Sequence, residues 1–113
     1  MIEIEFPHVI ILEELRDRGM NFQDWVEQNG EIMDELVLEG ACFLQDGEYD
    51  SVTLVEIWDE DGLWSTVDLH FDDTIEALEH NEEHWVSREN YEKAAESRDL
   101  IEIYKNKYKN DSL

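Results

Sequence analysis

Two runs of alternating side chains joined by a charged turn do most to limit what this chain can become. Ser51–Asp59 and Leu63–Phe71 both follow the period-2 pattern of half-buried strands, and Asp59-Glu60-Asp61-Gly62 between them is a strong hairpin signal. The second run puts Leu63, Ser65, Val67, Leu69 and Phe71 on one face and Trp64, Thr66, Asp68 and His70 on the other. The first divides Val55 and Ile57 from Leu54, Glu56 and Trp58. One face is core, and the pattern sets Trp58 and Trp64 beside Glu56 and Asp68 on the opposite one.

Elements on either side of the hairpin complete an α+β reading. Ile2, Ile4 and Phe6 alternate with Glu3 and Glu5 as an added strand. Pro7 then opens a helix faced by Val9, Ile10, Leu12 and Leu15 and stopped by Gly19, unless Val9-Ile10-Ile11 extends a strand. Asn21 caps a second helix carrying Phe22, Trp25, Val26, Met33, Leu36 and Val37, with Gly40 at its end and a division into two at Asn29-Gly30 as the alternative. Ala41–Gln45 reads as a short strand before the Asp46-Gly47 turn. Asp73-Thr74-Ile75-Glu76 resembles a capping box opening a helix through Leu78 and Trp85. Ser87 caps a last segment lined by Tyr91, Ala94, Ala95, Leu100, Ile101 and Tyr104, which frays at 110–113. The expected architecture is one acidic domain over residues 1–113: a small antiparallel sheet of three or four strands, its central hairpin at 51–71, flanked by helices.

Charge is where the composition departs from the ordinary. Thirty-one Asp and Glu face eight Lys and Arg, a formal net of −23, where a small domain is comfortable at roughly 2–8 in magnitude. Residues 1–87 hold 25 acidic side chains against Arg16 and Arg18 alone, whereas residues 88–113 hold six of each sign. The whole excess therefore belongs to the first three quarters, unlike a salt-adapted surface, which would be acidic throughout. Four Trp, four Tyr and four Phe argue against a disordered acidic tail. The single cysteine, Cys42, excludes an intramolecular disulfide and reads as a small buried hydrophobe. An acidic start, Met1-Ile2-Glu3-Ile4-Glu5, is no signal peptide, and no apolar run nears the ~20 residues of a membrane span, so a cytoplasmic protein is expected.

One motif points to chemistry. His80-Asn81-Glu82-Glu83-His84 fits H-x-x-E-H, in which two histidines four apart share a helix face and the Glu activates a metal-bound water. A small zinc hydrolase is therefore a remote reading. A catalytic zinc also needs a third ligand and a shaped cleft, and only 29 residues follow His84. A solvated helix face is expected instead, with His80, His84 and Glu76 as weak metal candidates and no catalytic residue or cofactor assigned. Asp59-Glu60-Asp61-Gly62 lacks the alternating ligands and distant Glu of an EF-hand. Direct nucleic-acid binding is disfavoured, because that affinity comes mostly from Lys and Arg on phosphates.

What remains to act is the charge itself. Strand side chains on one face repeat every ~6.6–6.8 Å, and helix neighbours at i, i+3 and i+4 lie ~5–6 Å apart. Carboxylates so placed present a regular negative track like that of a phosphate backbone. Candidate partner-binding positions are Asp24, Glu27, Glu31, Asp34 and Glu35 on the second helix, and Glu56, Asp59, Glu60, Asp61 and Asp68 on the hairpin. Glu76, Glu79, Glu82 and Glu83 follow at the start of the last helical region, with Trp58 or Trp64 as an aromatic anchor.

In size and charge the chain resembles the small acidic DNA-mimic inhibitors that phages and mobile elements turn against host nucleases, restriction enzymes, CRISPR effectors or repair glycosylases. The resemblance is one of composition and covers no alignable motif. It implies a non-enzymatic inhibitor whose partner is a basic nucleic-acid-binding protein. The alternative is an immunity protein neutralising a basic toxin nuclease, for which a compact patch rather than an elongated charged face is expected. Monomer and homodimer are both open at this stage.

Overall fold

The computed structural model describes residues 7–46 and 48–111, the last four by their backbone alone. In chain order these form β1 (His8–Ile11), α1 (Leu12–Asp17), α2 (Phe22–Gln28), α3 (Gly30–Leu44), β2 (Ser51–Asp59), β3 (Gly62–His70), a 3-10 turn (Phe71–Asp73), α4 (Thr74–Ser87) and α5 (Tyr91–Asp111). The α+β class read from the sequence holds, and the hairpin is β2 paired antiparallel with β3. The strand expected at Ile2–Phe6 lies outside the described residues.

At the N-terminal end the strand alternative is the one adopted, since Val9-Ile10-Ile11 is a β-branched run. β1 joins β2 in parallel, giving a mixed sheet ordered β1-β2-β3. Parallel neighbours need a long crossover, and α1, α2 and α3 supply it while covering one face of the sheet. Gly19, at φ +73, ends α1 as expected, with its own N–H on the Arg16 carbonyl and the Met20 N–H on that of Leu15. Asn21 caps α2 reciprocally: its Oδ1 accepts from the Asp24 N–H (2.8 Å) and its N–H donates to Asp24 Oδ2 (3.1 Å). The division at Asn29-Gly30 is real, separating α2 from α3.

Two sequence expectations fail in the middle of the chain. α3 does not stop at Gly40, and Ala41–Gln45 is not a strand, because the helix runs through to Leu44. Leu36, Gly40, Ala41 and Leu44 recur at helical spacing and are all buried. Gly40 is there to let the sheet approach: a Cβ would stand 2.7 Å from Leu54 Cδ2 and 3.3 Å from both Leu69 Cδ2 and Val52 Cγ1. Extending the helix also turns Cys42 outward, so the expected buried cysteine is exposed.

Around α4 the caps differ from the expected ones. Asp73 makes no side-chain cap, and the buried Thr74 hydroxyl instead donates to the His70 carbonyl at 2.8 Å. Ser87 closes α4, its hydroxyl on the His84 carbonyl, and Asn90 caps α5 by accepting from the Lys93 N–H at 3.3 Å.

The core lies where α3 is held between the sheet and the α4–α5 hairpin. Leu36, Leu38, Ala41 and Leu44 meet Leu54, Val55, Ile57 and Leu69 on one side and Leu78, Leu100, Ile101 and Tyr104 on the other. The Tyr104 hydroxyl donates to the Ala41 carbonyl at 2.5 Å, fixing α5 to α3. The molecule measures 51 × 32 × 23 Å. Its radius of gyration of 15.4 Å exceeds the roughly 13 Å of a compact chain this long. Among the described residues no helix is long and apolar enough to cross a membrane.

Candidate functional site

Because the helices cover one side of the sheet, the other side is open. Ile10, Val55, Ile57 and Leu69 are buried toward the helices, so their neighbours along each strand face away. Register sets these outward side chains in rows. Ile11, Trp58 and Leu63 stand opposite one another across all three strands, and Val9, Glu56 and Thr66 form the next row. Ile11 is 40% exposed, Trp58 37%, Leu63 51% and Val9 52%. A third row pairs Thr53 with Asp68, whose carboxylate accepts from the Thr53 and Thr66 hydroxyls at 2.8 and 3.2 Å. At the end of the apolar row, the Asp59 carboxylate accepts the Asp61 N–H at 2.8 Å and shapes the Glu60-Asp61 turn.

Two irregularities separate this face from the one read off the sequence. Register shifts at Thr53/Val55 and Ile57/Trp58 bring Leu54 into the core and leave Trp64 without a place in the ladder. Trp64 is still exposed, but it borders a cleft with Leu12, Arg16, Met20 and Phe22 on the helix side. Trp58 and Trp64 therefore do not share a face. Leu63, expected inside, instead lies opposite Trp58. Ile11, Val9 and Leu63 were absent from the candidates because strict alternation carries no information about bulges or about β1 pairing in parallel.

The acidic candidates divide by what they already hold. Asp34 is buried at 7% exposure and accepts from Arg88 Nη1 (2.6 Å) and His84 Nδ1 (2.9 Å). Glu35 pairs with Lys93, and Glu82 with Arg98 Nε at 3.0 Å. Asp24 is spent on its capping box. These four serve the fold. Glu27, Glu31, Glu60, Asp61, Asp68, Glu76, Glu79 and Glu83 are exposed, and Glu56 and Asp59 half-exposed. On α4 the exposed Glu76, Glu79 and Glu83 form a stripe opposite the buried Thr74, Leu78, Asn81 and Trp85.

The pairing explains the chain's uneven charge. Arg88, Lys93 and Arg98, all from the balanced last quarter, lean onto α3 and α4. Residues 19–87 contain no Lys or Arg. The sheet, its turn and the outer stripe of α4 are thus left with carboxylates and no Lys or Arg of their own.

The H-x-x-E-H residues are split. His84 donates through Nδ1 to Asp34 while His80 is exposed, and no three His, Cys, Asp or Glu among the described residues are grouped to hold a metal ion. Cys42 is exposed, yet burial of part of its surroundings, then Glu39 and Glu96, push its thiol pKa up. A raised pKa makes the reactive thiolate scarcer.

Comparison with protein-family models, curated proteins and solved structures finds no match.

Proposed function

We propose that this protein is a non-enzymatic acidic inhibitor that occupies the basic nucleic-acid-binding surface of another protein, in the manner of a DNA mimic. The observation that supports it most is uncompensated charge along an elongated body. Setting aside Glu3 and Glu5, which precede the described residues, the net of −23 becomes −21 along 51 Å, or about one charge per 2.4 Å. Duplex DNA carries one per ≈ 1.7 Å of axis. A groove of Lys and Arg built for phosphates meets a comparable density here, and complementary potentials steer the encounter.

The partner class is then a nuclease, restriction or CRISPR effector or repair enzyme, met in the cytoplasm, and a phage or mobile-element origin fits an anti-defence role. The second reading, an immunity protein against one basic toxin nuclease, draws on the apolar row of the sheet, for which a phosphate backbone has no counterpart.

Charge reversal separates location from total charge. Glu56→Lys, Asp59→Lys and Asp61→Lys together are expected to abolish low-salt capture of basic proteins from bacterial lysate. The same number of reversals on α5, at Glu92, Glu96 and Asp99, should leave most of it. Equal loss from both sets counts against a localised acidic face.

A further inference from the structure

The open face of the sheet carries more than charge. Ile11, Trp58 and Leu63 form an apolar row three strands wide, about 10 Å across at the usual strand spacing. Glu56 lies in the next row, Asp59, Glu60 and Asp61 form the hairpin end beside the apolar one, and Asp68 stands one row beyond Glu56. The three apolar side chains stay 37–51% exposed, and β1, β2 and β3 contain no Lys or Arg, their only basic side chains being His8 and His70. A second copy of the chain is a poor cover. Symmetric packing would set those carboxylates against their own duplicates, and like charges facing across an interface cost several kcal/mol.

We infer that this face is the docking surface for an arginine-bearing basic segment of the partner protein, with a guanidinium stacked on Trp58 and paired to Glu56. The inference rests on the reading of the protein as a ligand of basic proteins and names the contact by which it binds.

The chemistry selects arginine. A guanidinium is planar and weakly hydrated, so it can lie on an indole while its N–H groups reach a carboxylate; an ammonium is compact and holds its water. The fold already contains such an arrangement. Arg88 lies over the Trp85 ring, 5.0 Å from its centroid, while its Nη1 donates to Asp34. Lys93 approaches the same ring at 4.8 Å and pairs with Glu35, so the geometry accepts either cation. The preference at Trp58 comes from its exposure: there the ammonium can keep its water, and the guanidinium has less to lose.

The test uses the full chain with octa-arginine and octa-lysine peptides as probes, their affinities measured by calorimetry at low salt. Octa-arginine is expected to bind about two- to five-fold more tightly, the span of one exposed cation–π contact. Trp58→Ala should erase that ratio, and Trp64→Ala should keep it. Glu76→Gln, Glu79→Gln and Glu83→Gln together should weaken both peptides alike, leaving the ratio intact. In the wild-type protein the Trp58 indole N–H resonance should shift with octa-arginine, a readout independent of any variant's folding.

An unchanged ratio in Trp58→Ala with an unmoved indole resonance overturns the site while leaving the acidic-ligand reading standing. Sedimentation as a dimer that Trp58→Ala dissociates overturns it in favour of a second copy. Failure of both peptides to bind removes the acidic-ligand reading itself.

Discussion

Asn81 and Asp34 show how single side chains tie the last two helices to α3. Asn81 Nδ2 donates to the Asp34 carbonyl at 2.7 Å, while its Oδ1 accepts from Trp85 Nε1 (2.8 Å) and Ser97 Oγ (2.7 Å). Asn81→Ala would remove three hydrogen bonds and leave the buried Trp85 N–H without its acceptor, although the Ser97 hydroxyl keeps the Lys93 carbonyl, and a loss of about 2–4 kcal/mol is expected in urea unfolding. Asp34→Ala leaves Arg88 without its carboxylate. Because that guanidinium is a third exposed, a smaller loss of about 1–3 kcal/mol is expected. Cys42 gives a chemical check: its raised thiol pKa predicts alkylation at pH 8 slower than that of a cysteine in a short peptide. Added salt, by screening Glu39 and Glu96, should recover only part of the rate, because burial is the larger cause.

At the scale of elements, Gly40 and Glu89 carry opposite expectations. Gly40→Ala gains about 1 kcal/mol of helix propensity but drives a methyl into Leu54 in a packed core, where overpacking costs about 1–3 kcal/mol. A modest net destabilisation is expected. Glu89 holds φ at +61 in the turn that ends α4, with its N–H on the Val86 carbonyl and the Asn90 N–H on that of Trp85. Glu89→Gly should stabilise by up to about 1 kcal/mol, read as a rise in melting temperature. These positions also mark what the sequence could and could not tell. The hairpin, the stop at Gly19 and the Asn21 cap were legible because each is decided within a few residues, and the Asn29-Gly30 break was readable only as the alternative to one continuous helix. The helical state of Ala41–Leu44 was not, since it depends on Leu54, Leu69 and Tyr104, which lie far along the chain. Of the candidate face, the charge and Trp58 were readable, whereas its partners Ile11 and Leu63 needed a parallel pairing and a bulge that no local pattern announces.

For the molecule as a whole, Arg88, Lys93 and Arg98 of the last quarter are spent on Asp34, Glu35 and Glu82, and most of the remaining carboxylates stay exposed. That arrangement opposes its own folding through self-repulsion. Raising NaCl from low to near-physiological strength should therefore increase the melting temperature, by roughly 5 °C, as the Debye length falls to ≈ 8 Å. Binding should run the other way and weaken with the same salt, because it draws on the charge that folding tolerates. The most direct test is competition by duplex DNA for proteins held by the tagged chain at low salt. The account expects a short duplex to release DNA-binding enzymes in proportion to its concentration, and Glu56→Lys/Asp59→Lys/Asp61→Lys protein to hold none of them. A partner that stays bound through both duplex and salt, or the retention of nothing basic at all, would contradict it.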